Sequence, residues 1–135
     1  MNLMQDAQQI LKEFTILVVE DNELNQQVIK EILRHSGAAV TIAEHGREAL
    51  DMLNKESFDC VLMDIQMPVM DGLEATQIIR ANARWADLPI IALTANTGQH
   101  YRNLCQHTGM NDFLAKPINP DMLINTLLKW LVPRC

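Results

Sequence analysis

Five short runs rich in apolar residues alternate with stretches of helical periodicity, and this alternation leaves few folds open to the chain. Apolar runs of this length indicate strands that are covered on both faces of a sheet. Strands that alternate with helices form parallel sheets with right-handed crossovers and helices on both faces. The pattern therefore predicts an α/β fold with a doubly wound, five-stranded parallel sheet. The runs cover residues 15–19, 39–43, 60–63, 89–93 and 112–115.

The order of the strands follows from the few arrangements that such sheets adopt. Of the two common orders, the flavodoxin-like order 2-1-3-4-5 suits five strands and places a cleft between the first and third strands. We expect one domain at residues 15–133, because 135 residues suit a single compact unit.

Helical periodicity separates the strands. The first predicted helix covers residues 23–36 and ends at Gly37, with an inward face of Leu24, Val28, Ile32 and Leu33. A helix from Gly98 to about residue 107 is polar and weakly amphipathic, so it is either poorly packed or a part that moves. The other helices are predicted at residues 47–54, at 73–81 and after 119–121.

Residues 1–14 precede the first strand and are predicted to be an N-terminal linker or helical extension. Their apolar residues lie at helical spacing. A linker from a larger protein, an arm that forms dimers and an ordinary extra helix all remain open. The apolar residues of this segment are Leu3, Ala7, Ile10, Leu11 and Phe14.

Composition narrows the classes of partner. The net charge of −6 repels phosphate backbones and argues against direct nucleic-acid binding. No apolar run reaches membrane-spanning length and no secretory leader is evident, so we expect no direct membrane contact.

Cys60, Cys105 and Cys135 form no C-x-x-C, which favours a reduced, cytoplasmic setting with Cys60 in the core. The four histidines show no metal-ligand spacing.

Polar side chains follow four of the five predicted strands. They are Glu20 and Asp21, then Asp64, Thr94 and Lys116. Because the carboxyl ends of parallel strands lie at one edge of the sheet, we expect these groups to meet there. One reading of this set is a structural ion-pair cluster without chemistry.

A second reading gives the same groups a chemical task. Three neighbouring carboxylates repel one another, and a hard divalent cation such as Mg²⁺ or Mn²⁺ relieves that repulsion. Lys116 adds a positive charge and Thr94 a hydroxyl donor. Together they suit the oxygens of a phosphoryl group transferred to a carboxylate nucleophile.

The motifs around these residues resemble the receiver domain of two-component response regulators. They are Leu-Val-Val-Glu-Asp-Asn, Leu-Met-Asp-Ile-Gln-Met-Pro-Val-Met-Asp-Gly, Ile-Ala-Leu-Thr-Ala and Ala-Lys-Pro. The resemblance covers residue 15 to about residue 132. It implies that Asp64 accepts a phosphoryl group from a phosphohistidine. It also implies Mg²⁺ bound by Asp64 and Asp21, by Glu20 mostly through water, and by the backbone carbonyl of Gln66.

The resemblance assigns the remaining roles as well. Thr94 and the backbone amide of Ala95 would contact the phosphoryl oxygens, as would Lys116, whose bond to Pro117 is expected to be cis. Phe113 fills the aromatic switch position, which would work by packing because phenylalanine has no hydroxyl, and a plain core residue is the alternative. The sole catalysis implied is the domain's own phosphorylation and dephosphorylation.

Residues 20–28 are similar to receiver domains of hybrid sensor histidine kinases. That similarity implies a histidine kinase or histidine phosphotransfer domain as partner, and a location on the cytoplasmic side of the membrane. The parent chain would then be a kinase, although a stand-alone regulator is also open.

Three other functions compete with this one. A phosphatase of the haloacid-dehalogenase type would need a second aspartate where Gln66 stands. A docking domain that works without phosphate would not need the acidic pair, the acceptor aspartate, the threonine and the lysine together. A flavin- or nucleotide-binding domain would need glycine after the first strand, where the sequence has acidic residues.

Overall fold

The computed structural model describes residues 11–67, 70–95 and 98–131. In this part of the chain, strands and helices alternate as the sequence predicts. The strands are β1 (Thr15–Val19), β2 (Ala39–Ala43), β3 (Cys60–Asp64), β4 (Ile90–Thr94) and β5 (Asp112–Ala115). The helices are α1 (Glu23–Ser36), α2 (Gly46–Lys55), α3 (Gly72–Arg80), α4 (Gln99–Thr108) and α5 (Pro120–Leu131). A 3₁₀ turn at Ala83–Trp85 lies between α3 and β4.

The strands form one parallel sheet in the order β2-β1-β3-β4-β5, which confirms the predicted fold and strand order. β3 lies at the centre, paired with β1 on one side and β4 on the other. Every residue of β3 is buried, including its last residue, Asp64. The carboxyl ends of all five strands therefore share one edge, and the central strand carries a carboxylate to it.

Successive residues of the sheet point to opposite faces, so the sheet separates two cores. On one face Val61 and Met63 pack under α2, α3 and α4, and on the other Cys60 and Leu62 pack under α1 and α5. Cys60 is fully buried, as predicted, and burial raises the pKa of its thiol. Helices on both faces explain why the strands read as apolar runs rather than as alternating patterns.

The inward face of α1 agrees with the prediction in part, because Leu33 is buried and Ile32 packs against the core. The buried residues are Ile29, Leu33 and Ser36, whereas Leu24 is 73% exposed and Val28 is 41% exposed. Positions 29, 33 and 36 follow the spacing of one helical face. Each residue turns the helix by about 100°, so position 28 lies about 100° from position 29 and position 24 lies about 140° from it. The predicted end of the helix is confirmed, because Gly37 adopts the left-handed conformation with φ of 88°.

α4 is confirmed as a helix that is only lightly packed. Cys105 is its one buried residue, and the helix begins at Gly98 without a side-chain cap. Leu104 is 36% exposed on the same helix. Within residues 11–67, 70–95 and 98–131, no helix has the length and apolar character needed to cross a membrane.

The described part of the N-terminal segment packs against the domain. Leu11 is fully buried in the core under α1 and α5, and its backbone N–H donates to the carbonyl of Ser36 at 3.2 Å. Residues 11–13 form a turn rather than a helix. The boundary at residue 15 stays a prediction, as does the interpretation of residues 1–10, which lie outside the described part. Residues 132 and 133, at the other predicted boundary, lie outside it as well.

Candidate functional site

The carboxyl edge of the sheet brings the predicted side chains together in a largely buried setting. Glu20 follows β1, Asp64 and Thr94 end β3 and β4, and Lys116 follows β5. Glu20, Asp64 and Thr94 are buried, with at most 3% of each residue exposed. Asp21 is exposed beside them and opens the group to solvent. The strand order makes this meeting possible, because β1, β3, β4 and β5 are neighbours.

Lys116 joins the two buried carboxylates. Its Nζ lies 2.9 Å from Glu20 Oε2 and donates to Asp64 Oδ2 at 3.0 Å. Its backbone N–H donates to the carbonyl of Thr94 at 2.8 Å, which fixes the position of the residue beside β4. The bond from Lys116 to Pro117 is cis, as expected. Burial alone would lower the pKa of Lys116, but the nearby charges of Glu20 and Asp64 and the hydrogen bond to Asp64 outweigh it, so the pKa lies above its usual value.

Glu20, Asp21 and Asp64 form a carboxylate cluster. One oxygen from each side chain lies within 4.8 Å of the others. Glu20 Oε2 is buried and accepts no hydrogen bond from any described residue, although the Lys116 ammonium lies near it as an ion pair. Buried carboxylate oxygens are stable only when charges or donors compensate them, and one lysine does not compensate three carboxylates. The cluster therefore fits a hard divalent cation such as Mg²⁺.

Both oxygens of Asp64 have donors. The backbone N–H of Gln66 donates to Oδ1 at 3.0 Å, and Lys116 donates to Oδ2. These contacts hold the carboxylate in one orientation at the end of the central strand. Gln66 itself is exposed, and the role of its carbonyl as a metal ligand stays a prediction.

Thr94 and Ala95 lie where the sequence predicts, at the end of β4 and directly after it. Thr94 is buried and Ala95 is exposed. Their contacts to a phosphoryl group stay predictions. Phe113 is half-buried on β5, and the guanidinium carbon of Arg102 on α4 lies 4.4 Å from the centroid of its ring. The switch role of Phe113 therefore stays a prediction, with a cation on its outer face that the sequence did not indicate.

Three amide residues around Glu20 were not predicted as part of the site. Asn22 is the N-cap of α1, and its backbone N–H donates to Glu20 Oε1 at 3.1 Å. Asn25 Nδ2 lies 3.5 Å from the same oxygen, and Gln26 Nε2 donates to the backbone carbonyl of Glu20 at 2.6 Å. The cap could be read from an asparagine directly before a helix, but the contacts of the other two need the structure.

Many solved structures share this fold, and two of them bear on the site. The receiver domain of sensor histidine kinase PA1611 from Pseudomonas aeruginosa PAO1 was solved with a magnesium ion coordinated in its active site cleft. It is 43% identical with a TM-score of 0.83, over 89% of this chain and 98% of that one. The receiver domain of Ssk1 was solved with the histidine phosphotransfer signaling protein Ypd1 of Saccharomyces cerevisiae, and that match is 29% identical with a TM-score of 0.84, over 90% of each chain.

Sequence comparison agrees with the structures. Hybrid signal transduction histidine kinase E of Dictyostelium discoideum is 42% identical over 118 residues, which are 84% of this chain. The chain spans 7% of the length of that kinase. The model of the response regulator receiver domain matches residues 16–128, the part of the chain that carries the sheet and its acidic edge. On its sequence, its strand order and the residues gathered around Asp64, the chain belongs to the response regulator receiver domain family.

Proposed function

We propose that Asp64 accepts a phosphoryl group from a phosphohistidine in a reaction that needs Mg²⁺ or Mn²⁺, and that the domain thereby receives or relays a two-component signal. The observation that carries the proposal is the setting of Asp64. It is a buried carboxylate at the end of the central strand, held by Lys116 and next to two further carboxylates. A structural ion-pair cluster would not need a third acidic group at the solvent side.

The carboxylate cluster supplies the ligands that the cation would need. Asp21 and Asp64 would bind it directly, Glu20 mostly through water, and the backbone carbonyl of Gln66 would add a further oxygen. A cation held there would offset the negative charge of the carboxylates and of the incoming phosphoryl oxygens, which otherwise repel one another.

The transfer exchanges one bond to phosphorus for another. A carboxylate oxygen of Asp64 forms the new P–O bond, while the P–N bond to the donor imidazole breaks and its electron pair remains on the imidazole nitrogen. Lys116, the hydroxyl of Thr94 and the backbone N–H of Ala95 would hold the phosphoryl oxygens as charge moves. Phosphorylation would draw Thr94 toward the phosphoryl group and let Phe113 repack, which is the proposed switch.

The proposed donor is a histidine kinase or a histidine phosphotransfer domain. Support comes from the Ssk1 receiver domain, which was solved with such a phosphotransfer protein, and from the similarity to hybrid kinases. We propose accordingly that residues 15–133 act as one receiver unit on the cytoplasmic side of the membrane, within a hybrid kinase or as a stand-alone regulator. No direct contact with nucleic acid or membrane is part of this function.

The cation requirement gives the direct test of the proposed function. The protein is expected to gain one phosphoryl group from acetyl phosphate in Mg²⁺, and none in excess EDTA, because the uncompensated carboxylates repel the anionic donor. Intact-mass spectrometry measures the adduct, and adding Mg²⁺ back to the EDTA sample is the control. Uptake that is equal in EDTA would contradict the cation role.

The exposed side chains of α1 give a second test, which concerns the donor. Leu24 and Val28 lie one turn apart near the acidic edge and suit contact with a protein. Leu24→Asp is expected to slow transfer from phosphorylated Ypd1 by about tenfold or more, because a charge is then buried in the contact. Uptake from acetyl phosphate is expected to be unchanged, since that donor needs no docking surface.

Ile78→Asp is the matched control for this test. Ile78 is 42% exposed, like Val28, but lies on α3 in the other core layer. Transfer from Ypd1 and uptake from acetyl phosphate are both expected to match wild type in this variant. Equal transfer from Ypd1 to wild type and Leu24→Asp would remove α1 from the proposed docking surface.

A further inference from the structure

We infer that Gln26 is a positioning residue for the carboxylate cluster, acting with Asn22 and Asn25. These three residues are called the amide bracket below. The amide bracket fixes the peptide that joins Glu20 to Asp21, so that both acidic side chains remain directed at one cation. The inference rests on the proposed function, because it concerns the cation site described there.

The first part of the argument concerns the backbone. The N–H of Glu20 still has a sheet partner, the carbonyl of Ala43 at 2.9 Å, but the register of β1 with both neighbours ends at Val19. The carbonyl of Glu20 lies beyond that register, and Gln26 Nε2 donates to it at 2.6 Å. Because a peptide unit is planar, holding this oxygen also fixes the N–H and Cα of Asp21. One side chain thus sets the direction of the two adjacent acidic residues.

The second part concerns the carboxylate of Glu20. Its Oε1 accepts from the backbone N–H of Asn22 at 3.1 Å and lies 3.5 Å from Asn25 Nδ2. Its Oε2 has no hydrogen bond from the described residues and is oriented toward Lys116. Because Oε1 of Glu20 is held by these donors, Oε2 is directed at the centre of the site. The amide bracket therefore selects which oxygen of Glu20 is available there.

The third part concerns repulsion. Three carboxylates lie together, and one ammonium, that of Lys116, neutralises a part of their charge. Without a cation, repulsion between the carboxylates favours an outward movement of the loop that carries Glu20 and Asp21, away from Asp64. A hydrogen bond from α1, which is anchored in the core by Ile29 and Leu33, opposes that movement. Ligands held in place before binding lose less entropy when the cation arrives.

The experiment compares Gln26→Met with wild type. Methionine has a similar length and no donor, so the variant removes the hydrogen bond and keeps most of the packing. The dissociation constants of Mg²⁺ and Mn²⁺ are measured on metal-free protein by calorimetry and by electron paramagnetic resonance of free Mn²⁺. We expect both constants to rise by about tenfold, the usual effect of losing a residue that orients metal ligands.

Two controls separate positioning from simple loss of stability. Gln27 is the next residue of α1 and is exposed, so Gln27→Met is expected to bind both cations as wild type does. Ile79→Val removes a methyl group from a fully buried residue of α3 and is expected to lower the melting temperature by about 4 °C without changing cation binding. All variants are measured well below their melting temperatures.

The outcomes distinguish a failure of this inference from a failure of the proposed function on which it rests. Wild-type affinity in Gln26→Met, or equal losses in Gln26→Met and Gln27→Met, would overturn the positioning role and leave the proposed function standing. Wild-type protein that binds neither cation would overturn both. A loss confined to Gln26→Met supports the amide bracket.

Discussion

Asp64→Asn is expected to abolish phosphoryl uptake from acetyl phosphate while the fold stays intact. The amide is close in size and its oxygen still accepts from the N–H of Gln66, while its NH2 group replaces the oxygen that accepts from Lys116. The amide is a poor nucleophile, and no other described carboxylate combines burial at the end of the central strand with a lysine donor. We expect the rate to fall by at least about 1,000-fold, in the range seen when a nucleophile is removed. Intact-mass spectrometry after incubation with Mg²⁺ measures the loss.

Asp51→Asn is the matched control for that variant. Asp51 is exposed on α2, so the Asp51→Asn protein is expected to take up a phosphoryl group as wild type does. Thermal unfolding of Asp64→Asn is expected at or above the wild-type temperature, because one of the three repelling charges is gone. A phosphoryl adduct on Asp64→Asn at the wild-type rate would show that another group is the acceptor.

Gly72→Ala is expected to damage both stability and phosphoryl uptake. A Cβ at this first residue of α3 would lie 2.2 Å from the backbone oxygen of Asp64 and 2.8 Å from Met63 Cγ. The nearest atom belongs to the backbone of the central strand, so relief requires the end of β3 and the start of α3 to separate. We expect a loss of about 3 kcal/mol in the free energy of unfolding, at the upper end for an overpacked core. Uptake is expected to slow because the same movement displaces Asp64.

Gly98→Ala tests whether the loss of stability and of phosphoryl uptake is specific to Gly72. Gly98 is exposed at the start of α4 with φ of −64°, a conformation open to alanine. Its replacement is expected to cost about 1 kcal/mol or less and to leave uptake unchanged. Urea unfolding and acetyl phosphate uptake of both variants give the comparison. Equal stability of Gly72→Ala and wild type would mean that α3 can shift away from β3 freely.

The sheet and the edge residues could be predicted because each depends on local pattern and on one general rule. Apolar runs identify the strands, alternation with helices makes the sheet parallel, and a parallel sheet places all carboxyl ends together. Glu20, Asp64, Thr94 and Lys116 therefore meet at one edge although they are far apart in the sequence.

The inward face of α1 was predicted correctly at Ile32 and Leu33 and wrongly at Leu24 and Val28, because the apolar residues fit two rotations of the helix. Leu24, Val28, Ile32 and Leu33 suggest one inward face, whereas the buried residues are Ile29, Leu33 and Ser36. The choice depends on where the helix packs on the sheet, which periodicity does not contain. The exposed Leu24 does not contribute to the core, but it forms part of the surface proposed to bind the phosphoryl donor.

Contacts between distant or adjoining elements were also beyond the sequence. The burial of Leu11 depends on the core under α1 and α5, and the close approach of Gly72 to Asp64 depends on the turn between β3 and α3. The contact of Gln26 with the Glu20 carbonyl needs the position of α1 relative to the end of β1. Composition and spacing describe which groups are present, and these contacts determine how firmly they are held.

The most direct test of the central claim is to locate the phosphoryl group on the wild-type protein. Protein phosphorylated by acetyl phosphate in Mg²⁺ is treated with borohydride, which reduces an aspartyl phosphate to homoserine, and its peptides are sequenced by mass spectrometry. We predict homoserine at position 64 and unchanged aspartate at positions 59 and 71, which lie in the same stretch of sequence. Homoserine at another aspartate, or a phosphoryl group that resists reduction, would contradict the role of Asp64 as the acceptor.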